Sequence, residues 1–181
     1  MARALLIIDI QRDYFPGGAF PLVGPEAAAR ATRRVLDGFR ERGEPIVHLQ
    51  HVWDAPDATF MRPDTEGVEV HPLVAPSDGE AVIQKSEPNG FLGTALEAEL
   101  RRRGIDEVVV AGMMSSMCVD ATVRAGADLG FGMTVVHDGC AAPDLEFGGT
   151  RVPGTSVHAA FMAALGDGYA TLVGSDELAA G

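Results

Sequence analysis

The sequence predicts an α/β fold: a doubly wound, three-layer α/β/α arrangement around a mostly parallel six-stranded sheet, of Rossmann type. Two observations carry this. Short apolar runs alternate with longer amphipathic segments, the pattern of successive strand–helix–strand units. The runs themselves, such as "ALLII" and "DEVVVAG", are nearly continuous in apolar residues, as expected of strands covered on both faces.

The elements follow in order. Residues 4–8 form the first strand. "GPEAAARATRRVLDGFRERG" is a helix, with Pro25 suited to its first turn and Gly43 to its stop. Ala28, Ala31, Val35 and Phe39 give it one apolar stripe. "PIVHLQH" (45–51) and "AVIQK" (81–85) are the second and third strands. "GTALEAELRRRG" is a helix in which Thr94 and Glu97 have capping-box spacing and Gly104 marks the end. "DEVVVAG" is the fourth strand and residues 117–129 the third helix, stopped by Gly130. "GMTVVHD" is the fifth strand, "TSVHAAFMAALGDG" the fourth helix and "YATLV" the sixth strand.

Residues 52–80 break the rhythm. Loops of this length are usually functional, and this one holds Trp53, Phe60 and Met61. It is expected to be ordered and to cover a site or a subunit interface. The whole chain, 1–181, is expected to form one domain, because 181 residues at 46% hydrophobic content suffice for one well-filled core.

A formal charge of −12 argues against a nucleic-acid partner, which needs a basic face. No apolar run reaches the length of a membrane span, and the start breaks into charge at Asp9 without a cleavage pattern, so a cytoplasmic protein is the expectation. Two cysteines, Cys118 and Cys140, make no disulfide framework. Neither a metal-type cysteine spacing nor a glycine-rich phosphate loop is present, and no cofactor is expected.

In doubly wound sheets the functional crevice lies beyond the carboxyl ends of the strands. The residues there are Asp9, His51, Lys85, Cys118 and Asp138. "AGMMSSMCVDATVRAG" puts Cys118 where a strand ends and a helix begins. A helix start carries free N–H groups and partial positive charge, which lower a thiol pKa and can hold an oxyanion. Cys118 could equally be a small core residue. Asp9 and Lys85 at the ends of neighbouring strands would add a base and a cation to a nucleophile.

"LLIIDIQRDYF", "VHLQHVWD" and the stretch from "VIQKSEPNGF" to "VVHDGCAA" resemble the isochorismatase-like cysteine hydrolase superfamily, its nicotinamidase-related and streptothricin-hydrolase-like amidohydrolases in particular. The resemblance covers nearly the whole chain. It implies a catalytic triad of Asp9, Lys85 and Cys118. It implies a cis peptide at Met113–Met114 and an oxyanion hole made by the Met114 and Cys118 N–H groups. Gln11, Tyr14, Trp53, Phe91 and Met113 are the candidate substrate-binding residues. A homodimer or higher homo-oligomer is implied as well.

Nicotinamidases carry an Asp-x-His pair after the second strand that helps to bind a metal. Here the stretch reads His51–Val52–Trp53, and the pair is missing. His48 and His51 lie three apart on a strand and point to opposite faces, although His71 could join His51. No metal is therefore expected. Cys140 reads as packing, and His137 and His158 as structural hydrogen-bonding residues. The expected function is cysteine-dependent hydrolysis of a C–N bond in a small amide, lactam or ureido compound through a Cys118 thioester. A non-catalytic binding protein on the same fold, or a metal-dependent nicotinamidase, are the alternatives.

Overall fold

The computed structural model describes residues 2–179. Strand β1 (Ala2–Ile8) leads to helix α1 (Pro25–Arg42), then β2 (Ile46–His51) and, after the long loop, β3 (Ala81–Lys85). Helix α2 (Leu96–Arg102) precedes β4 (Ile105–Met113), and α3 (Asp120–Asp128) precedes β5 (Gly132–Ala141). A hairpin of β6 (Leu145–Phe147) and β7 (Thr150–Val152) follows, then α4 (Gly154–Gly166), β8 (Thr171–Val173) and α5 (Ser175–Ala179). The six-stranded sheet has the order β3-β2-β1-β4-β5-β8, and all its pairings are parallel. The expected α/β class and doubly wound order are those observed.

The continuous apolar strands have their physical reason in the two cores. Leu5 and Ile7 of β1 point to one face, against Val35, Leu36 and Phe39 of α1. Leu6 and Ile8 point to the other, against Leu96 and Leu100 of α2 and Val123 of α3. Both faces are dry, so neither set of positions can be polar.

Several boundaries differ from the sequence expectation. Strand β5 runs on to Ala141, so Asp138 lies within it and not at a crevice. The Asp138 carboxylate instead accepts from the Ser175 N–H at 2.8 Å and the Ser175 hydroxyl at 2.6 Å, fastening α5. Thr94 and Glu97 form no capping box: the Thr94 hydroxyl donates to the Gly90 carbonyl and accepts from the Leu96 N–H, while Glu97 faces Arg101. The third helix begins as a π-type turn over Ser115–Val119 before α3 takes over.

The strand order places the site. The chain winds outward from β1 to β3, returns to β4 beside β1, and winds outward the other way. Ligands of such sheets bind where that reversal opens a crevice, here between the ends of β1 and β4. Gly112 makes the close approach there possible. It sits opposite Ile8 with φ 150°, and a Cβ at that position would collide with the Ile8 carbonyl oxygen.

Candidate active site

Asp9 follows the last residue of β1 with φ 49°, in the left-handed region that Asp tolerates better than most residues. This turn sends the carboxylate down into the crevice, where it has no solvent exposure. Lys85 ends β3 and brings Nζ to 2.7 Å from Asp9 Oδ2, with both side chains fully buried. Cys118, in the π-type turn after β4, is 4% exposed. A carboxylate oxygen of Asp9, Sγ of Cys118 and a ring nitrogen of His51 all lie within 4.8 Å of one another.

The ends of β1, β3 and β4 are not three neighbours, because β2 lies between β1 and β3. Lys85 therefore reaches across the end of β2, and the residue it crosses is His51, its register partner. Lys85 Nζ contacts His51 Nδ1 at 3.0 Å and donates to the Glu87 carbonyl at 3.0 Å. With the ion pair to Asp9 these engage the ammonium on three sides. Since Nδ1 accepts from Lys85, the neutral imidazole is assigned its proton on Nε2. Burial, then the Lys85 charge, lower the His51 pKa to about 4.

The electrostatics of the trio follow from burial. Loss of solvent pushes the Asp9 carboxyl up, the Lys85 ammonium pulls against it, and the balance stays above the ordinary value. Burial pushes Lys85 down, but Asp9 and Cys118 outweigh it and hold the ammonium above its usual range. Burial, then the Asp9 charge, push the Cys118 thiol well up, with Lys85 pulling the other way. This corrects the expectation of a thiol lowered by its helix start. A buried Sγ loses more from desolvation than one turn of peptide dipoles returns.

A cavity of 410 Å³ opens above Cys118. Tyr14, Trp53 and Phe60 form one wall and Met114 and Met117 another. His51, Ser86, Glu87 and Pro88 complete it. The aromatic wall is itself packed, with Phe60 edge-on to Trp53 at 5.4 Å and stacked on Phe20 at 4.9 Å. Trp53 and Phe60 thus bring the loop 52–80 to the cavity of its own chain.

Tyr14, Trp53 and Met114 are therefore placed at the cavity, and three other candidates are not. Gln11 is fully buried, and its amide donates to the His51 and Val68 carbonyls at 2.8 and 2.7 Å and accepts from the His51 N–H at 2.8 Å. It ties β2 and the long loop to β1, with no hydrogen-bonding group left for a substrate. Asp13 does similar work, accepting from the Met61 and Ala19 N–H groups. Phe91 packs with Phe131 at 5.9 Å in the core beneath α2 and α3. Met113, the last residue of β4, is fully buried in the other core and does not line the cavity, whereas Met114, one residue beyond the strand, does.

Ser86, Glu87 and Pro88 line the cavity and were not singled out from the sequence, and His51, expected at the crevice, had been given no partner there. The strand order gives His51 its place between Asp9 and Lys85, since the residue ending β2 must separate those ending β1 and β3. The Met113–Met114 peptide is cis. Ser115, fully buried beside the turn, hydrogen-bonds His158 Nδ1 at 2.8 Å and anchors the turn to α4. His71 does not join His51: its Nδ1 accepts from the Leu73 N–H, and its ring stacks on Phe15 at 3.8 Å. Cys140 is buried packing, with Sγ donating to the Val136 carbonyl.

Residues 3–150 match the family model described as the isochorismatase domain. The chain is 48% identical over 172 residues to YddQ, an isochorismatase family protein of Bacillus subtilis strain 168, covering 95% of this chain and 96% of that protein. It is 36% identical over 173 residues to a streptothricin hydrolase of Streptomyces noursei, a match spanning 91% of this chain and 60% of the relative. A crystal structure described as an isochorismatase hydrolase from Oleispira antarctica has a TM-score of 0.95 at 46% identity, covering 99% of this chain and 97% of that one. The chain belongs to the isochorismatase family and is a hydrolase of that family.

Proposed function

We propose that this hydrolase is a cysteine amidohydrolase that cleaves a C–N bond in a small amide, lactam or ureido compound. The observation that carries the reading is the buried Asp9–Lys85 pair beside Cys118, whose side chain lines an open, largely apolar cavity. The streptothricin hydrolase relative supports a hydrolytic role for the same fold.

Asp9 takes the Cys118 proton as Sγ attacks the carbonyl carbon. A carboxyl held above its ordinary pKa is a stronger base, which narrows the gap to a thiol that burial has made reluctant to ionise. The negative oxygen that forms is received by the Met114 and Cys118 N–H groups. Asp9 returns the proton to the leaving nitrogen as the C–N bond breaks, which leaves a thioester on Cys118. Water then attacks the thioester while Asp9 takes its proton. The acid departs and the thiol is restored. Lys85 keeps Asp9 anionic between these steps and offsets the negative charge that passes between Asp9 and Sγ.

The test is an ammonia- or amine-release screen over amides, lactams and ureido acids, with Cys118→Ala as the blank and Cys140→Ala as the control. Cys118→Ala should lose nearly all turnover and Cys140→Ala should keep it. Equal turnover in Cys118→Ala would overturn the mechanism. A chain that binds amides without turning any over would be a binding protein on this fold.

A further inference from the structure

We propose that the cavity selects amides whose remaining part is a flat apolar ring without a carboxylate, and that Glu87 at its rim favours a cationic over an anionic substituent. This rests on the reading of the cavity as the amide site. Three features of the lining carry it. The first is the state of Lys85, the one lysine of the chain, whose neighbours His51 and Glu87 line the cavity. Its ammonium is already engaged: Nζ is ion-paired with Asp9 Oδ2 at 2.7 Å, contacts His51 Nδ1 and donates to the Glu87 carbonyl.

The second is the charge of the lining. Among the described residues no arginine lines this cavity, and the exposed Glu87 is the one acidic residue of its lining. His51 stays neutral at physiological pH, because burial and the Lys85 charge hold its pKa at about 4. The third is the aromatic wall. Tyr14, Trp53 and Phe60 present ring surface that suits a flat apolar group, and ring faces also attract cations.

Trp53 is the single tryptophan of the chain, so its fluorescence reports directly on occupancy of the cavity. The experiment titrates Cys118→Ala protein with benzamide, 4-(aminomethyl)benzamide and 4-carbamoylbenzoate. Benzamide and the aminomethyl compound should quench or shift the Trp53 emission saturably, and 4-carbamoylbenzoate should bind at least about tenfold more weakly. In the Cys118→Ala, Glu87→Gln double variant the advantage of the aminomethyl compound over 4-carbamoylbenzoate should shrink severalfold, with benzamide little changed. Equal or tighter binding of 4-carbamoylbenzoate would overturn the proposal, as would an unchanged ratio in the double variant. If the binding order holds but wild-type protein hydrolyses none of the amides, the amidohydrolase reading fails and the selectivity stands.

Discussion

Lys85 Nζ lies 2.7 Å from Asp9 Oδ2 with both side chains at 0% exposure, the most deeply sealed ion pair in the described part of the molecule. A pair in that position is weak evidence for stability, since desolvation consumes most of its attraction. Its placement beside Sγ of Cys118 supports the chemical role proposed for it instead.

Breaking the pair should therefore damage both activity and fold. Asp9→Asn keeps the shape and removes the base, and the expected loss in kcat is at least about 10²–10⁴-fold. Lys85→Met should be nearly as harmful, because an unpaired buried Asp9 takes up a proton. Removing one partner of a buried pair costs about 3–5 kcal/mol. Lys85→Met should thus also lower the urea midpoint, while the double change Asp9→Asn, Lys85→Met should recover part of the stability and none of the activity. Near-wild-type turnover in either single variant would contradict the roles given to the pair.

The resting nucleophile should be a thiol. Burial and the Asp9 charge push the Cys118 pKa up, so wild type and Cys118→Ser should show no difference in thiolate absorbance near 240 nm between pH 6 and pH 8. Alkylation by iodoacetamide in that range should be slower than that of free cysteine. A thiolate signal at pH 7 would mean that the turn dipole and Lys85 prevail over desolvation.

Metal chelators should leave activity unchanged. Asp9, His51 and Cys118 are close enough together to suggest a metal cluster. The Lys85 ammonium already contacts Asp9 Oδ2 and His51 Nδ1, and a divalent cation would have to displace it or be repelled by it. Activity lost to EDTA and restored by zinc would show that the lysine yields its place.

Acid should weaken the fold through Glu80, far from the cavity. Burial pushes its carboxyl up, but hydrogen bonds from Arg40, the Ser77 N–H and His48 outweigh that and bring it down to about 2. A carboxylate with a depressed folded pKa contributes stability above its unfolded pKa near 4.5, and loses it as pH falls towards about 2. Glu80→Gln should lower Tm at pH 7, and the difference from wild type should narrow between pH 4.5 and 2. A constant difference across that range would assign the effect to packing.

The sequence alone determined the layer order, because continuous apolar strands between amphipathic helices have one stable way to bury both faces. It also marked Asp9, Lys85 and Cys118 as crevice residues, since each stands beside a strand's carboxyl end. Only the tertiary structure decided what each neighbour does. Gln11 looked like a substrate ligand, and its partners are the His51 and Val68 carbonyls, brought to it by a loop without sequence period. Met113 was a candidate substrate contact, and its full burial at the end of β4 leaves only Met114, beyond the strand, at the cavity. His51 became a site residue through strand order, and Glu87 through the turn after β3. The thiol pKa turned on burial, which depends on how the whole crevice is covered. Periodicity records which face of an element is apolar, whereas desolvation and hydrogen-bond partners depend on atoms distant in the chain, and those are known only once the elements have packed.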